Sequence, residues 1–590
     1  MYNVLKKSVK KAFLITVLVL KIMLGVAQQP LFTTNALLLD NQRYLLSNKG
    51  NQSVIMIDQT GKKLKEWNLN EPVTGLCLNG NTVYATSSGD KGFLTAFDLL
   101  TEEKSFQVET GLGATNPLVS ANGSIVYVFN QYKNTVCEVD AHSGKVLRNV
   151  SLLREPLTGV LSLDGKYLFV NNFLPAQRAD VDYVSAEVSV VDLVDFSVVK
   201  NIRLANGSNA LRGICISPDG MNVYVSHNLG RFQVPTSQLQ QGWMNTSALS
   251  VIDTKNLSYV GSILLDEPDR GAAGIWGVAC NDAKVFVAHS GTHDISIIDH
   301  VQMKNRLARY SNKSNLSYDL RFLYGIRKRL PVVGNGPRNI SLAKGKLCVV
   351  TYFSDTLNVI DAETEKISTI ACNPMRKESV ENLGEKVFND ASHCYQNWQS
   401  CNGCHPGEAR TDGMNWDLMN DGIGNPKNCK SLLLSHATPP SMISGIRPSA
   451  EYAVRAGFKF IQFSDLHPDL AESVDAYLKS LKPMKSPYLK NGELTQKAIK
   501  GRKVFDRLGC GYCHSGPSFT DMKKHHIGDK MEHETGWDTP TLIEIWRTAP
   551  YLFDGRAATL KEVFSACKHG INDPISEKEI DEMVEYINSL

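Results

Sequence analysis

Between about residues 35 and 371 the chain repeats itself seven times, and nothing else in it constrains the fold as strongly. One unit reads VYVFNQYKNTVCEVDAHSGKVLRNVSL (126–152), and others begin at Arg43, Val83, Tyr167, Val223, Val285 and Leu347. Each unit offers an apolar β-branched strand, a polar turn, a second strand closing on a pattern such as Ile-Asp, and a third strand. A fourth short strand, as in LTGVLSLDG (157–165), joins it to the next unit. Strands this short cannot bury both faces alone, but units stacked in a ring can, leaving only short edges. The expected fold class is therefore a multidomain β + α chain that opens with a seven-bladed β-propeller over 34–372. Cys77, Cys137, Cys215, Cys280 and Cys348 fall in or beside these strands and read as small core hydrophobes. Long insertions occur at 173–188, 229–249 and 301–333. The first two leave the ring at equivalent points and should gather on one rim. His227, His289 and His293 lie near them and read as packing or surface histidines.

Residues 1–27 read as a secretory signal. They hold five lysines and no acid, a short apolar run AFLITVLVL, and small residues ending at Ala27. The other 563 residues carry 58 basic and 60 acidic side chains. That balance leaves no basic footprint for nucleic acid. No later segment is apolar for long enough to span a bilayer, so no transmembrane segment is expected after signal removal. The expected location is exported: periplasmic or cell-surface associated.

The carboxy-terminal half carries CNGCH (401–405) and CGYCH (510–514). A bare C-x-x-C is shared by zinc half-sites and redox dithiols, but a zinc site needs two further ligands and a thioredoxin-type motif needs a βαβ setting. C-x-x-C-H is the attachment signature of c-type haem. Two thiols one turn apart reach one haem edge, and the adjacent imidazole folds under the ring to meet the iron. Cys401, Cys404, Cys510 and Cys513 are thus the expected covalent attachment points of two haems, with His405 and His514 as proximal iron ligands. The sites sit in a duplicated helical unit. LGEKVF (383–388) and KGRKVF (500–505) precede them, TPPSMISGIRPSAEY (438–452) and TPTLIEIWRTAPY (539–551) follow, and each copy closes on a helix ending in Leu. The copies are expected at 380–483 and 494–590 as two all-α cytochrome-c-like domains, joined by a Pro- and Gly-containing linker.

The repeat, with RFQVPTSQLQQGWMNTSALSVID and VAHSGTHDISIID, resembles the YVTN-type propellers fused to a cytochrome module. GRKVFDRLGCGYCHSGPSFTD with TPTLIEIWRTAPYLFDGRAATLKEVF resembles the second haem domain of the di-haem cytochrome c peroxidase family, which includes the methylamine-utilisation enzyme. The resemblance implies reduction of hydrogen peroxide, or oxidation of a partner protein, at the His405 haem. Electrons would pass through the His514 haem to or from an unknown donor or substrate protein, with the propeller docking a partner or covering the site. Calcium between the helical domains is a further cofactor that the resemblance leaves open. The first copy departs from the family: its F-W-D-G-R segment is missing, and Asp421 stands where a distal histidine is expected.

Peroxide chemistry needs an iron with an open sixth position, whereas electron transfer is served by six-coordinate iron. Opposite His405 the sequence offers no strong local ligand, which reads as an open position for peroxide; the competing reading puts Met414, Met419 or His436 there. Opposite His514 it offers His569, then Cys567, then Met522, with His525 and His526 nearby and Phe553 in place of the family's histidine. Glu451 and Gln462 are candidates for the acid/base, beside Glu408 and Asp412. Trp416 is a candidate for the path between haems, and Cys394 with Cys429 for a disulfide. Two other functions compete with the enzyme: a non-enzymatic di-haem electron-transfer protein, and a propeller-centred binding protein with a redox module. On the last reading, removal of residues 1–375 would leave turnover of small donors intact.

Overall fold

The computed structural model describes residues 28–233, 244–417, 426–527 and 536–590. The expected signal at 1–27, and the candidates Met419 and Asp421, lie outside them. Seven antiparallel four-stranded sheets follow one another in strict chain order: β1–β4 (33–68), β5–β8 (73–109), β9–β12 (114–151), β13–β16 (156–203), β17–β20 (208–264), β21–β24 (275–331) and β25–β28 (337–371). The innermost strands contact one another around the ring, and the last returns to the first. This is a seven-bladed β-propeller. The second strand of each sheet is buried at nearly every position because both its faces are covered by neighbouring blades. In blade 3, Val126 to Asn130 are all buried. The outermost strand meets water and is polar, as in KLKEWN of blade 1.

Among the described residues no strand is exchanged to close the ring; a short parallel bridge does so, with the Gln28 amide on the Met375 carbonyl and the Lys377 amide on that of Gln28, both at 3.0 Å, and side chains reinforce it. The Asp355 carboxylate in blade 7 accepts the Leu31 and Phe32 amides at 2.9 and 3.1 Å, just ahead of blade 1, and meets Arg376 at 3.3 Å. Ser341 Oγ donates to the Ala36 carbonyl across the same joint. One helix, α1 (His300–Arg309), leaves blade 6 and packs back on it through Met303 and Leu307. His227 and His289 occupy the same place in blades 5 and 6. Both are wholly buried and bond to Ser250 and Ser296, so they are packing histidines.

The carboxy-terminal half is built twice. The first copy runs α2 (Val380–Asn389), the CNGCH turn, a two-residue hairpin (Asn415–Trp416 with Lys427–Asn428), α3 (Ala450–Phe460) and α4 (Pro468–Ser480). The second repeats this as α5 (Gln496–Arg507), the CGYCH turn, a hairpin (Lys524–His525 with Trp537–Asp538), α6 (Leu560–Ser565) and α7 (Glu577–Asn588). In each, the first and last helices cross at a glycine. A Cβ on Gly384 would lie 1.8 Å from the Ser473 carbonyl oxygen, and one on Gly501 would lie 1.9 Å from that of Glu582. Beside each crossing an aromatic pair packs, Phe388 with Tyr477 and Phe505 with Tyr586. The fold is thus a propeller followed by a mainly helical half, in which the described β-structure is two small hairpins and a few isolated bridges. Among the described residues no helix is long and apolar enough to cross a membrane.

Candidate functional site

The two C-x-x-C-H motifs adopt one backbone form. Cys401–Gly403 and Cys510–Tyr512 each make a single tight turn, and the following histidine amide returns to the first cysteine carbonyl at 2.9 and 3.0 Å. His405 Nδ1 lies 3.0 Å from the Arg410 carbonyl, and His514 Nδ1 lies 3.1 Å from that of Phe519. A carbonyl only accepts, so Nδ1 carries the proton in both rings and Nε2 keeps its lone pair. Burial pushes both imidazoles below their usual range and holds them neutral.

A cavity of about 260 Å³, walled mainly by apolar side chains, opens beside the first motif and is lined by Cys401, Cys404 and His405. Helices α2 and α4 supply Phe388, Val474 and Leu478, and α3 supplies Val454 and Gly457. Gln462 follows α3 into the wall. Its Nε2 is 3.1 Å from Cys401 Sγ, and its Oε1 is buried without a partner. Arg447 also lines the cavity and leaves a buried Nε unpaired. Cys429 Sγ lies 3.5 Å from His405 Nδ1. Trp416 reaches the wall while its Nε1 donates to Asp412 at 2.9 Å. Burial raises that Asp412 carboxyl to about 7. Sequence reasoning passed over Arg447 and Met442 as lining residues and weighed Cys429 only for a disulfide.

Other candidates for this site face elsewhere. Met414 is fully buried against Val184, Met244 and Trp416, and its sulphur lies 3.7 Å from Asn209 Nδ2 of the propeller. His436 is held by Asp475 at 3.0 Å. Glu451 lies outside the cavity wall on the outer side of α3, where Lys479 at 2.9 Å helps hold it at about 2. Gln462 lines the cavity, but an amide has no titrating proton to exchange. Glu408 pairs with Lys49 of the propeller. Cys394 and Cys429 are both free thiols: Cys394 acts on Cys401, and Cys429 neighbours His405 and Cys404. Among the described lining residues there is no carboxylate and no second histidine.

At the second motif the arrangement differs. The ring centroids of His514 and His569 are 6.5 Å apart, and burial lowers His569 to about 4. Two imidazoles bound head-on to one metal, at about 2.0–2.1 Å each, would hold their centroids about 6.3 Å apart. Cys567 packs against the core of the second copy, and Met522 is 46% exposed. His525 bonds to Asp521 at 2.8 Å. Phe553 stacks flat on Trp537 at 4.2 Å. Between the copies the seam is filled by charge: Glu544, fully buried, accepts Arg410 Nε at 2.8 Å, Arg547 Nη1 at 3.1 Å and the Met484 amide at 2.8 Å. Among the described residues no cluster of three or more His, Cys, Asp or Glu side chains is placed to hold a metal ion, so nothing here supports calcium.

The propeller reaches into the first site. Asn245 Nδ2 lies 3.2 Å from Cys404 Sγ and 3.2 Å from Gln399 Oε1. The first two long insertions converge there, Val184 from one and Met244 from the other, both against Met414 and Trp416.

The structure thus defines a seven-bladed propeller joined to a duplicated helical half. No family model matches the chain. It is similar to the gamma subunit of hydrazine synthase from Kuenenia stuttgartiensis, 26% identical over 37% of this chain and 79% of the relative. It is also similar to the beta subunit of hydrazine synthase from the same organism, 28% identical over 34% of this chain and 52% of the relative. The cytochrome c551 peroxidase of Nitrosomonas europaea is 26% identical over 16% of this chain and 35% of its own length. A solved structure of Kuenenia stuttgartiensis hydrazine synthase shares the fold, with a TM-score of 0.51 and 20% identity over 57% of this chain and 97% of that one. The relationship is therefore to hydrazine synthase subunits more broadly than to peroxidases, and it does not single out the methylamine-utilisation enzyme.

Proposed function

We propose that the chain is an exported di-haem c-type oxidoreductase in which a small molecule reacts at the first site and the second relays electrons. The observation that carries this reading is an asymmetry. The His514 and His569 ring centroids lie 6.5 Å apart, near the spacing of two ligands on one metal, whereas the described wall around His405 holds no second histidine. Two covalent haems would supply one-electron storage and, at the first site, a position for a small ligand. Cys401, Cys404, Cys510 and Cys513 would hold them, with His405, His514 and His569 on iron. The unpaired Arg447 Nε beside an apolar cavity fits the carboxylates of a haem, since a buried guanidinium needs a counter-charge.

The rest falls to the chain's own groups. The Arg410 and Phe519 carbonyls fix each imidazole's tautomer and orientation. Gln462 presents an amide to whatever enters the cavity, and the mainly apolar wall suits a large flat apolar group. The absence of a carboxylate among the described lining residues weakens the case for peroxide cleavage, which needs a proton on the departing oxygen. The two subunit matches favour a role in hydrazine-synthase-like nitrogen chemistry as the second reading.

Replacing His569 by glycine in the purified holoprotein tests the assignment. One of the two haem signals should turn from low to high spin in electron paramagnetic resonance, while the other keeps its response to added hydrogen peroxide or hydrazine. Two low-spin signals, unchanged by the substitution and by both reagents, would leave only an electron-transfer protein.

A further inference from the structure

The inner strand of each blade offers one equivalent residue near its start, at the end of the ring axis that faces the first helical copy. In blades 1 to 7 the pairing registers put Thr34, Thr74, Thr115, Leu157, Arg212, Trp276 and Arg338 there. Four consecutive blades are small or apolar, and the last three read Arg, Trp, Arg. The three form a stack. The Arg212 and Arg338 guanidiniums lie 3.9 and 4.3 Å from the centroid of the Trp276 ring. Phe173 extends the stack beyond Arg212 at 5.1 Å, and Tyr352 beyond Arg338 at 3.4 Å.

Aromatic faces orient a guanidinium but do not neutralise it. Among the described residues neither arginine has a carboxylate within ion-pair distance. Arg212, 8% exposed, has one long contact, 3.4 Å to Asn402 Oδ1 inside the CNGCH turn. Arg338 leaves a buried Nε without a partner. Burial, and then Arg338, pull Arg212 down to about 9, the mark of a cation without its counter-charge. The charged groups around the same space come from every element packed on it: Lys49 of blade 1, Glu385 of α2 and Glu408 after the first motif. Lys49 and Glu408 satisfy each other and keep 38% and 47% of their side chains accessible, so water enters between propeller and helical half. Glu385 acts on Arg338 but forms no ion pair with it. The two guanidiniums exceed the acids available to them.

We propose that the Arg212–Trp276–Arg338 arch is a binding site for a small inorganic oxyanion, held on the propeller axis beneath the first C-x-x-C-H turn. Planar guanidinium forks match oxyanion edges, and their clamping between rings prepays the ordering that binding would cost. The site does not depend on the haem assignment.

Calorimetry on the full-length holoprotein in anion-poor buffer tests it, with sodium nitrate, sodium phosphate and sodium chloride as probes. One equivalent of nitrate or phosphate should bind with Kd below about 1 mM, and more tightly than chloride. Arg212→Gln and Arg338→Gln should each weaken binding about tenfold or more, and Arg338→Lys should lose the preference over chloride. Arg178→Gln, at a surface pair with Asp180, should leave binding unchanged. Should the glutamine variants fail to fold, crystals of the wild type soaked in sodium selenate decide: an anomalous selenium peak is expected against the two guanidiniums. No binding at about 10 mM, affinity unmoved in both variants, or no selenate at the arch would overturn the site and leave the stack a packing device.

Discussion

The glycine crossings of the helical half yield a prediction that can be worked from distances. Replacing Gly384 by alanine sets a Cβ 1.8 Å from the Ser473 carbonyl oxygen and 2.4 Å from its carbon. Ordinary contact begins at 3.4 Å, so α2 and α4 must part by roughly 1.5 Å, and even a 0.5–1 Å gap forfeits a quarter to a half of each contact's attraction. Overpacking costs about 1–3 kcal/mol, and the upper end applies because the obstacle is backbone, which cannot swing aside. Alanine returns about 1 kcal/mol of helix propensity. The net loss is about 2 kcal/mol, or roughly thirtyfold in the local opening equilibrium. Phe388, Val474 and Leu478, which line the cavity, ride on these two helices, so the loss falls on the first site. Hydrogen exchange of peptides from 380–389 and 468–480 reads it directly: Gly384→Ala should speed exchange by about that factor, and Gly501→Ala should do the same in the second copy. Exchange unchanged or slowed in Gly384→Ala would refute the reasoning, because it would mean that the crossing has room.

Nothing lies within 4 Å of a Cβ at Gly457, which lines the cavity. Gly457→Ala should therefore gain up to about 1 kcal/mol in the apoprotein, while Gly457→Leu should fill the cavity and cut covalent haem on Cys401 and Cys404, read by peptide mass, leaving Cys510 and Cys513 loaded. Glu544→Ala leaves Arg410 and Arg547 facing each other in a dry seam and should cost about 3–5 kcal/mol in denaturant unfolding, with Glu544→Gln costing less. His227 is held neutral at about 4 by burial against about 6.5 in an unfolded chain, so the unfolded state takes up the proton first as pH falls. Its contribution is complete above about pH 6.5 and is lost progressively down to about pH 4, at most about 3 kcal/mol. Denaturation between those pH values should flatten in His227→Gln.

The propeller was legible because its signal is local: strand, turn and strand recur at one period, and burial by neighbouring blades turns that period into apolar runs. The duplicated half was legible because its motifs recur in one order; counting along the second copy reaches Cys567, with His569 two residues further on. What the sequence hid depends on which way a side chain faces. Glu451 and Gln462 sit eleven residues apart on one segment, yet one meets Lys479 at the surface and the other the cavity wall. Met414 and Trp416 share a face of one hairpin strand and pack on Gly230, so the methionine is spent on the propeller joint. Arg212, Trp276 and Arg338 are more than sixty residues apart from one to the next, and only the blade registers bring them together.

The joint between the halves bears on what the propeller is for. It is built from both sides. The Ala391 amide donates to the Gly291 carbonyl, and the Gly271 amide to that of Gln396; Arg154 Nη2 meets the Arg547 carbonyl, and the Ala179 amide meets that of Gly555. Both helical copies therefore seat on the ring, and the first motif is covered at its sulphur by Asn245 and at its turn by Arg212. A propeller that only recruited a partner would not need these contacts, and removal of residues 1–375 would then spare the reaction. Here the same cut uncovers Cys404, Met414 and Trp416 and strips Lys49 from Glu408. Buried apolar surface would be opened beside the cavity and a charge left without its partner, so the ring backs Cys404 and Trp416, which line the first site. The two helical copies thus share a fold but not a setting: the ring covers the first motif, while the second turns Tyr512 outward, 87% exposed, at the middle of its turn.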